Sequence, residues 1–252
     1  MLTAIVLTLN EEEHLPNCLT SLNWVDELVV FDSFSTDKTC KIAERFGARV
    51  IQHKFENYAV QRNAALAAVN SEWIFFIDAD ERATPELAEE IRHVIDKGVS
   101  AGWWVPRHNY IFGRLTLAAG WFPDYQLRLL KRMGAHYDPS RHVHELVQVQ
   151  GEEAQLANPL IHINYTTIAE FIEKQYRYTK FDAGILYKEG LQPRPQNFIL
   201  QPIRQFFWRY VHLGGWREGV HGLRLSAMMG YFQIVLYQEI RRLRSTEELP
   251  GP

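Results

Sequence analysis

The segment Trp73-Ile-Phe-Phe-Ile-Asp-Ala-Asp80 constrains this chain more than any other. Five apolar, β-favouring residues stand unbroken before two carboxylates one residue apart. A run without polar alternation suits a strand covered on both faces, as in a parallel sheet flanked by helices. Such a strand delivers its last residues to the carboxyl edge of the sheet. There, open α/β sheets bind their ligands.

The flanking sequence supplies the helices and strands that such a sheet needs. Strands are expected at Ala4–Leu9, Glu27–Asp32, Arg49–His53 and Trp73–Asp78, with helical patterns at 15–22, 36–46, 58–68 and 85–97. Ser35 or Thr36 can cap the second helix, Gly47 can close it, and Thr84-Pro85 can start the fourth. This alternation predicts right-handed crossovers and parallel strands. After Gly102 the rhythm changes. Trp103–Tyr110, Gln126–Lys131, Val143–Val149 and Leu160–Asn164 look like strands without long helices between them. From Thr167 to Tyr187 the pattern is helical again, with Ile168, Phe171, Ile172, Tyr176 and Phe181 on one side. A Pro-containing break at 191–196 precedes two further helices around Gly214-Gly215. The expected fold is therefore α/β, a mostly parallel doubly wound sheet with an antiparallel extension and a C-terminal helical region. Its segments are residues 1–110, 111–166 and 167–252.

Bulk properties exclude several classes. The 252 residues carry a net charge of -3 and a pI near 6.4, without the basic field that nucleic-acid binding requires. Charge is uneven, however. Residues 198–245 hold seven arginines against Glu218 and Glu239, a net +5, which leaves -8 elsewhere. Those arginines are interleaved with aromatic residues, a pattern that can lie on an anionic membrane surface or pack its aromatics against the sheet or a second subunit with the arginines in water. Cys18 and Cys40 have no metal-ligand spacing and read as core residues of a reduced, cytoplasmic protein. Met1 leads straight into a strand without the basic start of a signal peptide, and the uncharged stretch 225–238 is too short to span a bilayer. The expected location is the cytoplasm, with peripheral contact at the inner face of the cytoplasmic membrane.

Four pieces carry chemistry: Thr8-Leu-Asn-Glu-Glu12, Asp32-Ser-Phe-Ser-Thr-Asp-Lys-Thr39, Gln61-Arg-Asn63 and Asp78-Ala-Asp80. Each falls at a strand's carboxyl end or in the crossover that follows, so they should converge on one crevice. Paired hard oxygen ligands there suit a divalent cation that itself holds a diphosphate.

In this order and spacing the chain resembles the family 2 inverting glycosyltransferases of the GT-A fold, whose members read T-x-N-E, D-x-x-S-x-D-x-T, R-N and D-x-D. The likeness covers residues 1–110. Pro123-Asp-Tyr-Gln-Leu-Arg-Leu129, Val143-His-Glu145 and His162 are similar to one subgroup, the bacterial lipopolysaccharide-core β-glucosyltransferases that add glucose to heptose. The resemblance implies a UDP-hexose donor, a saccharide or lipid-linked saccharide acceptor, and Mg²⁺ or Mn²⁺. By it, Asp80 coordinates the metal and Asp78 contacts the ribose, or the metal through water. Asp32 would accept a hydrogen bond from the base, and Thr8, Asn10 and Glu11 would line the nucleoside cleft. Arg62 would lie over the base or near the diphosphate.

Inversion needs a base to take the acceptor's proton. Glu145 and Asp124 are the candidates, with Glu145 favoured because it follows a strand and a turn, where the resemblance places the acid of a Glu-Asp motif. The resemblance to GT-A enzymes implies that His162 could complete the metal shell; between two isoleucines it also reads as a hydrogen-bonded core residue. No P-loop or G-x-G-x-x-G motif occurs. A sugar-phosphate nucleotidyltransferase needs a Gly-rich, basic loop after the first strand, and here that loop is acidic. A non-catalytic nucleotide-sugar-binding protein, and a family 2 enzyme acting on polyprenyl phosphate, another glycan or a protein, are the other readings.

Overall fold

The computed structural model describes residues 1–139 and 147–247. Its first half alternates as expected: β1 (Leu2–Thr8), α1 (Leu15–Thr20), β2 (Glu27–Asp32), α2 (Thr39–Arg45), β3 (Arg49–Gln52), α3 (Tyr58–Ala67) and β4 (Trp73–Asp78). A three-residue strand, β5 (Glu81–Ala83), then precedes α4 (Pro85–Lys97). The second half of the strands comprises β6 (Gly102–Ile111), β7 (Arg114–Leu115), β8 (Tyr125–Lys131), β9 (His136–Tyr137), β10 (Val147–Gln148), β11 (Glu153–Gln155) and β12 (Leu160–Tyr165), pairing mostly antiparallel, with β11 parallel to β6. Helices α5 (Ile168–Lys188), α6 (Asn197–Phe207) and α7 (Val220–Glu247) complete the described chain.

A ten-stranded sheet runs in the order β3-β2-β1-β4-β8-β6-β12-β5, with β7 and β11 both pairing with β6. Strands β3, β2, β1 and β4 are parallel, whereas β8 is antiparallel to β4 and to β6. The order reverses at β1, so the crevice at its carboxyl end is a topological switch point. One sheet face buries Ala4, Val6, Val30, Phe75 and Ile77 with Leu15, Leu19, Leu87 and Ile91 from the helices. The other buries Ile5, Val29, Ile74 and Phe76 with Ala65 and Leu66 of α3. Covering both faces is what makes the strand sequences continuous in apolar residues.

Two compact units divide the chain: residues 1–108 with 124–163, and 109–123 with 164–252. In the second unit Ile111, Tyr165, Phe171, Leu225, Phe232 and Val235 form a separate core. The buried stripe of α5 is Phe171, Gln175, Thr179 and Ala183. Ile168, Ile172 and Phe181, expected on that same face, are exposed. Apolar spacing alone overstated the core here, because two polar residues occupy interior positions. Gln175 donates to the Tyr165 hydroxyl at 2.9 Å and so satisfies its amide inside. Helix α2 also starts later than expected, with Lys38 at its N-cap and no side-chain cap. Ser35 and Thr36 are engaged in the loop before it.

Candidate active site

The register fixes what meets at the sheet edge. Thr8 pairs with Asp32 across β1 and β2, and Leu7 pairs with Asp78 across β1 and β4. Asp32 and Asp78 therefore flank β1, two strand spacings apart, about 10 Å. The pleat turns Asp32 toward the α2 side and Asp78 toward α3. They share an edge, and each has its own set of partners.

Asp32 is fully buried. Its Oδ1 accepts from the Thr8 hydroxyl at 3.0 Å and from the Ser35 hydroxyl, and its Oδ2 accepts from the Ser35 amide at 2.9 Å and Gln52 Nε2 at 3.3 Å. Burial works against its charge, but the Ser35, Gln52 and Thr8 donors prevail and hold its pKa below the usual carboxylate range. Around this hub the two loops clasp each other. The Asn10 amide donates to Ser35 Oγ at 2.8 Å, and the Thr36 amide donates to Asn10 Oδ1 at 2.8 Å. The Glu11 amide donates to Thr39 Oγ1 at 2.8 Å. Asn10 and Phe34 both have left-handed backbone, at φ 57 and 62. Asn tolerates that region, whereas a bulky aromatic does so rarely. Phe34 is also half exposed beside the hub.

A second cluster surrounds Asp78. Arg128, 3% exposed, donates from Nη1 to Asp78 Oδ1 at 3.2 Å, from Nη2 to Asp78 Oδ2, and from Nη2 to Glu81 Oε1 at 2.8 Å. Arg62 approaches Asp78 at 3.6 Å with its guanidinium over the rings of Phe76 and Tyr137. Glu81 is wholly buried and also receives Arg107 at 3.3 Å. Arg107 in turn grips Asp124 Oδ2 through Nε at 2.9 Å and Nη2 at 2.7 Å, while Gln126 donates to Asp124 Oδ1 at 3.0 Å. Burial opposes charge on Asp78, yet Arg128 and Arg62 hold its pKa far below normal. Burial likewise disfavours the Arg128 cation, and Asp78 and Glu81 more than compensate, raising its pKa.

Asp80 has a different neighbour. Strand β5 pairs with β12, His162 opposite Glu81, and the Ile163 amide donates to the Asp80 carbonyl at 2.9 Å. That short ladder brings His162 Nε2 to 3.4 Å from Asp80 Oδ2. The Asp80 side chain stays 24% exposed. A carboxylate and an imidazole, side by side and open on one side, can share a divalent cation with a ligand's own oxygens.

A model of glycosyl transferase family 2 matches residues 3–144, more than half of the chain. The chain belongs to glycosyl transferase family 2. It is 32% identical over 243 residues to the lipopolysaccharide core biosynthesis glycosyltransferase LpsC of Rhizobium meliloti (strain 1021), covering 91% of this chain and 87% of that one. It is also 38% identical over 255 residues to an uncharacterized glycosyltransferase of Rickettsia bellii (strain RML369-C), covering 96% and 86%. Among solved structures, S. aureus TarS 1-349 in complex with UDP aligns over 99% of this chain and 92% of its own, at 14% identity and TM-score 0.49. The mixed α/β fold, with its antiparallel extension and helical C-terminal region, is the GT-A arrangement expected for a family 2 glycosyltransferase.

Some expected positions lie outside the described residues or carry partners that the sequence did not show. Glu145, together with the neighbouring His142 and His144, lies outside the described residues. Asp78 is occupied on both oxygens by Arg128, which opposes a direct metal bond from it. Sequence reading passed over Glu81, Arg107 and Arg128, and took the last only as part of a motif. The signal was available, since arginines inside two expected strands need carboxylates, and Asp78-Ala-Asp-Glu81 offers three. Cys18 is buried and Cys40 half-buried, both as free thiols. Burial raises both pKa values, that of Cys40 to about 11 with Asp32 adding to the effect, so neither is poised as a nucleophile.

Proposed function

We propose that this glycosyltransferase moves a hexose, with glucose the first choice, from a UDP-sugar to a saccharide acceptor with inversion. The acceptor class is a heptose of the lipopolysaccharide inner core, on the support of the 32% identity to LpsC along 91% of this chain. Residues 1–110 would hold the nucleotide sugar and 111–166 would present the acceptor. The observation that carries the donor assignment is the Asp80–His162 pair at the edge where Asp32 anchors the loops after β1 and β2.

Asp80 and His162 would hold Mg²⁺ or Mn²⁺. Among the described residues no cluster of three His, Cys, Asp or Glu side chains could hold an ion. This donor set suits a cation that takes its remaining ligands from a diphosphate and water. Such a cation, when bound, offsets the charge of the departing UDP. Asp78, fixed by Arg128 and Arg62, keeps the backbone before Asp80 in place and supplies a ribose contact. For Asp32 to meet a base, a donor must yield. Gln52 makes the longest of its four bonds, at 3.3 Å, so the base N–H would replace Gln52 there.

Glu145 is the proposed base. Asp124 is the weaker candidate because Arg107 engages one of its oxygens twice and Gln126 the other, so both are already taken. The test is UDP release from UDP-hexoses with Mg²⁺ or Mn²⁺, with and without a heptose-terminated core acceptor. Glu145→Gln should lose about 10²- to 10⁴-fold in turnover while retaining donor affinity. Absence of metal-dependent UDP binding by calorimetry, with Asp80→Asn equal to wild type, would overturn the proposal.

A further inference from the structure

Helix α6 has apolar residues on more of its surface than its packing uses. One side carries Phe198, Pro202 and Phe206, spaced four apart. Phe198 lies 6.0 Å from the Tyr237 ring of α7. Gly230 of α7 faces Pro202 and Phe206 so closely that an added Cβ would sit 3.1 Å from the Pro202 carbonyl oxygen and 3.6 Å from Phe206 Cβ. That side is taken. On the other side Ile199, Leu200, Ile203 and Phe207 are 63%, 60%, 49% and 57% exposed. No residue of α6 is buried. A surface helix of a water-soluble fold needs one apolar stripe, and a second must meet something other than water.

Charge identifies what that is. Arg194, Arg204, Arg241 and Arg242 are exposed at or near this helix. Phe198, Gln238, Arg241, Arg242 and Ser245 line a groove of about 470 Å³ between the start of α6 and the end of α7. Between residues 190 and 245 the only carboxylates are Glu218 and Glu239. Glu218 pairs with Arg114 at 3.4 Å and Glu239 with Arg242 at 2.8 Å. The segment therefore carries surplus cations beside exposed aliphatic and aromatic side chains. A second copy of this chain is a poor occupant, because a two-fold contact sets a patch against itself and would oppose arginine to arginine. None of the described helices is long and apolar enough to cross a bilayer, which leaves a helix lying in its plane.

We propose that α6 is a membrane-docking helix, with Ile199, Leu200, Ile203 and Phe207 entering an anionic bilayer while Arg204 and Arg241 meet lipid phosphates. Buried side chains supply the apolar part of such binding, and each arginine near an anionic surface strengthens it about fivefold. The experiment is co-flotation of the full chain with vesicles of phosphatidylglycerol and phosphatidylcholine, against vesicles of phosphatidylcholine alone. Wild type should float with the anionic vesicles and be released by salt. The Ile199→Ser, Leu200→Ser, Phe207→Ser triple variant should bind about tenfold more weakly or less, and Arg241→Glu should also weaken binding. The triple variant should keep its circular dichroism and its UDP release, since none of these residues belongs to the candidate active site. Lipid binding is measured without donor, so its failure and the failure of the transferase assignment are separate results. Wild type that stays with the solvent overturns the proposal. If light scattering then shows a dimer that the triple variant dissociates, the face is a subunit contact instead.

Discussion

The sheet edge and the C-terminal helices place polarity in opposite ways. At the edge, Arg128, Glu81 and Asp32 are buried, and each is held by partners drawn from other elements. In the helices, Ile199, Leu200 and Phe207 are exposed while polar Gln175 and Thr179 are buried. The first arrangement makes sense only as a scaffold, since charges are tolerated inside when every one is paired and the pairs fix geometry. The second makes sense only if the surface has a further contact to make. The contrast teaches that departures from the inside-outside rule differ in meaning. An interior charge that is fully paired points inward, to a site being held, and an exposed apolar stripe points outward.

Asp80→Asn tests the first half of that contrast with the largest effect. It should reduce metal-dependent turnover about 10²- to 10³-fold, because charge stabilisation of a leaving group is worth that much, and it should leave the unfolding midpoint nearly unchanged. Turnover assays with a parallel urea titration check both parts. An equal loss of stability would make Asp80 one more strut. Arg128→Met is the converse. It strands Asp78 and Glu81 without their shared cation, and breaking a buried pair destabilises by about 3–5 kcal/mol. Adding either Asp78→Asn or Glu81→Gln should restore part of that loss, as a double-mutant cycle for each pair would read. A midpoint unmoved by Arg128→Met would show that the cluster holds nothing.

Much of this was legible in the sequence, for a stated reason. Strands β1, β2 and β4 are covered on both faces, so the runs 4–7, 28–31 and 73–77 are apolar throughout, and β2 and β4 end on Asp32 and Asp78. Glu27–Asp32 and Trp73–Asp78 have the bounds that the composition indicates. The same logic placed Asp32 and Asp78 at one edge, but spacing could not say that pleating turns them to opposite faces. Nor could it find β5. Glu81-Arg-Ala83 has no strand signature and becomes a strand only because β12 pairs with it. That pairing is what brings His162 to Asp80. The helical face of α5 was misread for a related reason, since the interior there accepts Gln175 once Tyr165 satisfies it.

Two smaller substitutions sharpen the account of the helices. In Gly222→Ala the new Cβ would fall inside contact distance of the Gly215 carbonyl oxygen and within 2.9 Å of Glu218 Cβ. The start of α7 and the short 3₁₀ turn at Gly215–Glu218 must then part, at about 2–3 kcal/mol by thermal unfolding. An unchanged midpoint would mean that this junction is slack and the orientation of the helices is not fixed by it.

The smallest effect is one of pH. Glu170, in the first turn of α5, accepts from the Thr166 amide and hydroxyl at 2.8 Å each and from Lys174 at 3.0 Å. Partial burial pushes its pKa up, but the Thr166 and Lys174 donors outweigh it and bring it down to about 2, from an ordinary 4.5. A carboxylate whose pKa is lowered by folding stabilises the fold above its unfolded pKa and ceases to as pH falls through the folded one. Glu170→Gln should therefore cost about 1 kcal/mol at neutral pH, in the range of a helix cap. The gap between wild type and variant should close as pH drops from about 4.5 toward 2. Urea titrations across that interval measure it. A gap that stays constant would show that Glu170 acts through its shape, whereas one that closes assigns the stabilisation to its charge at the helix start.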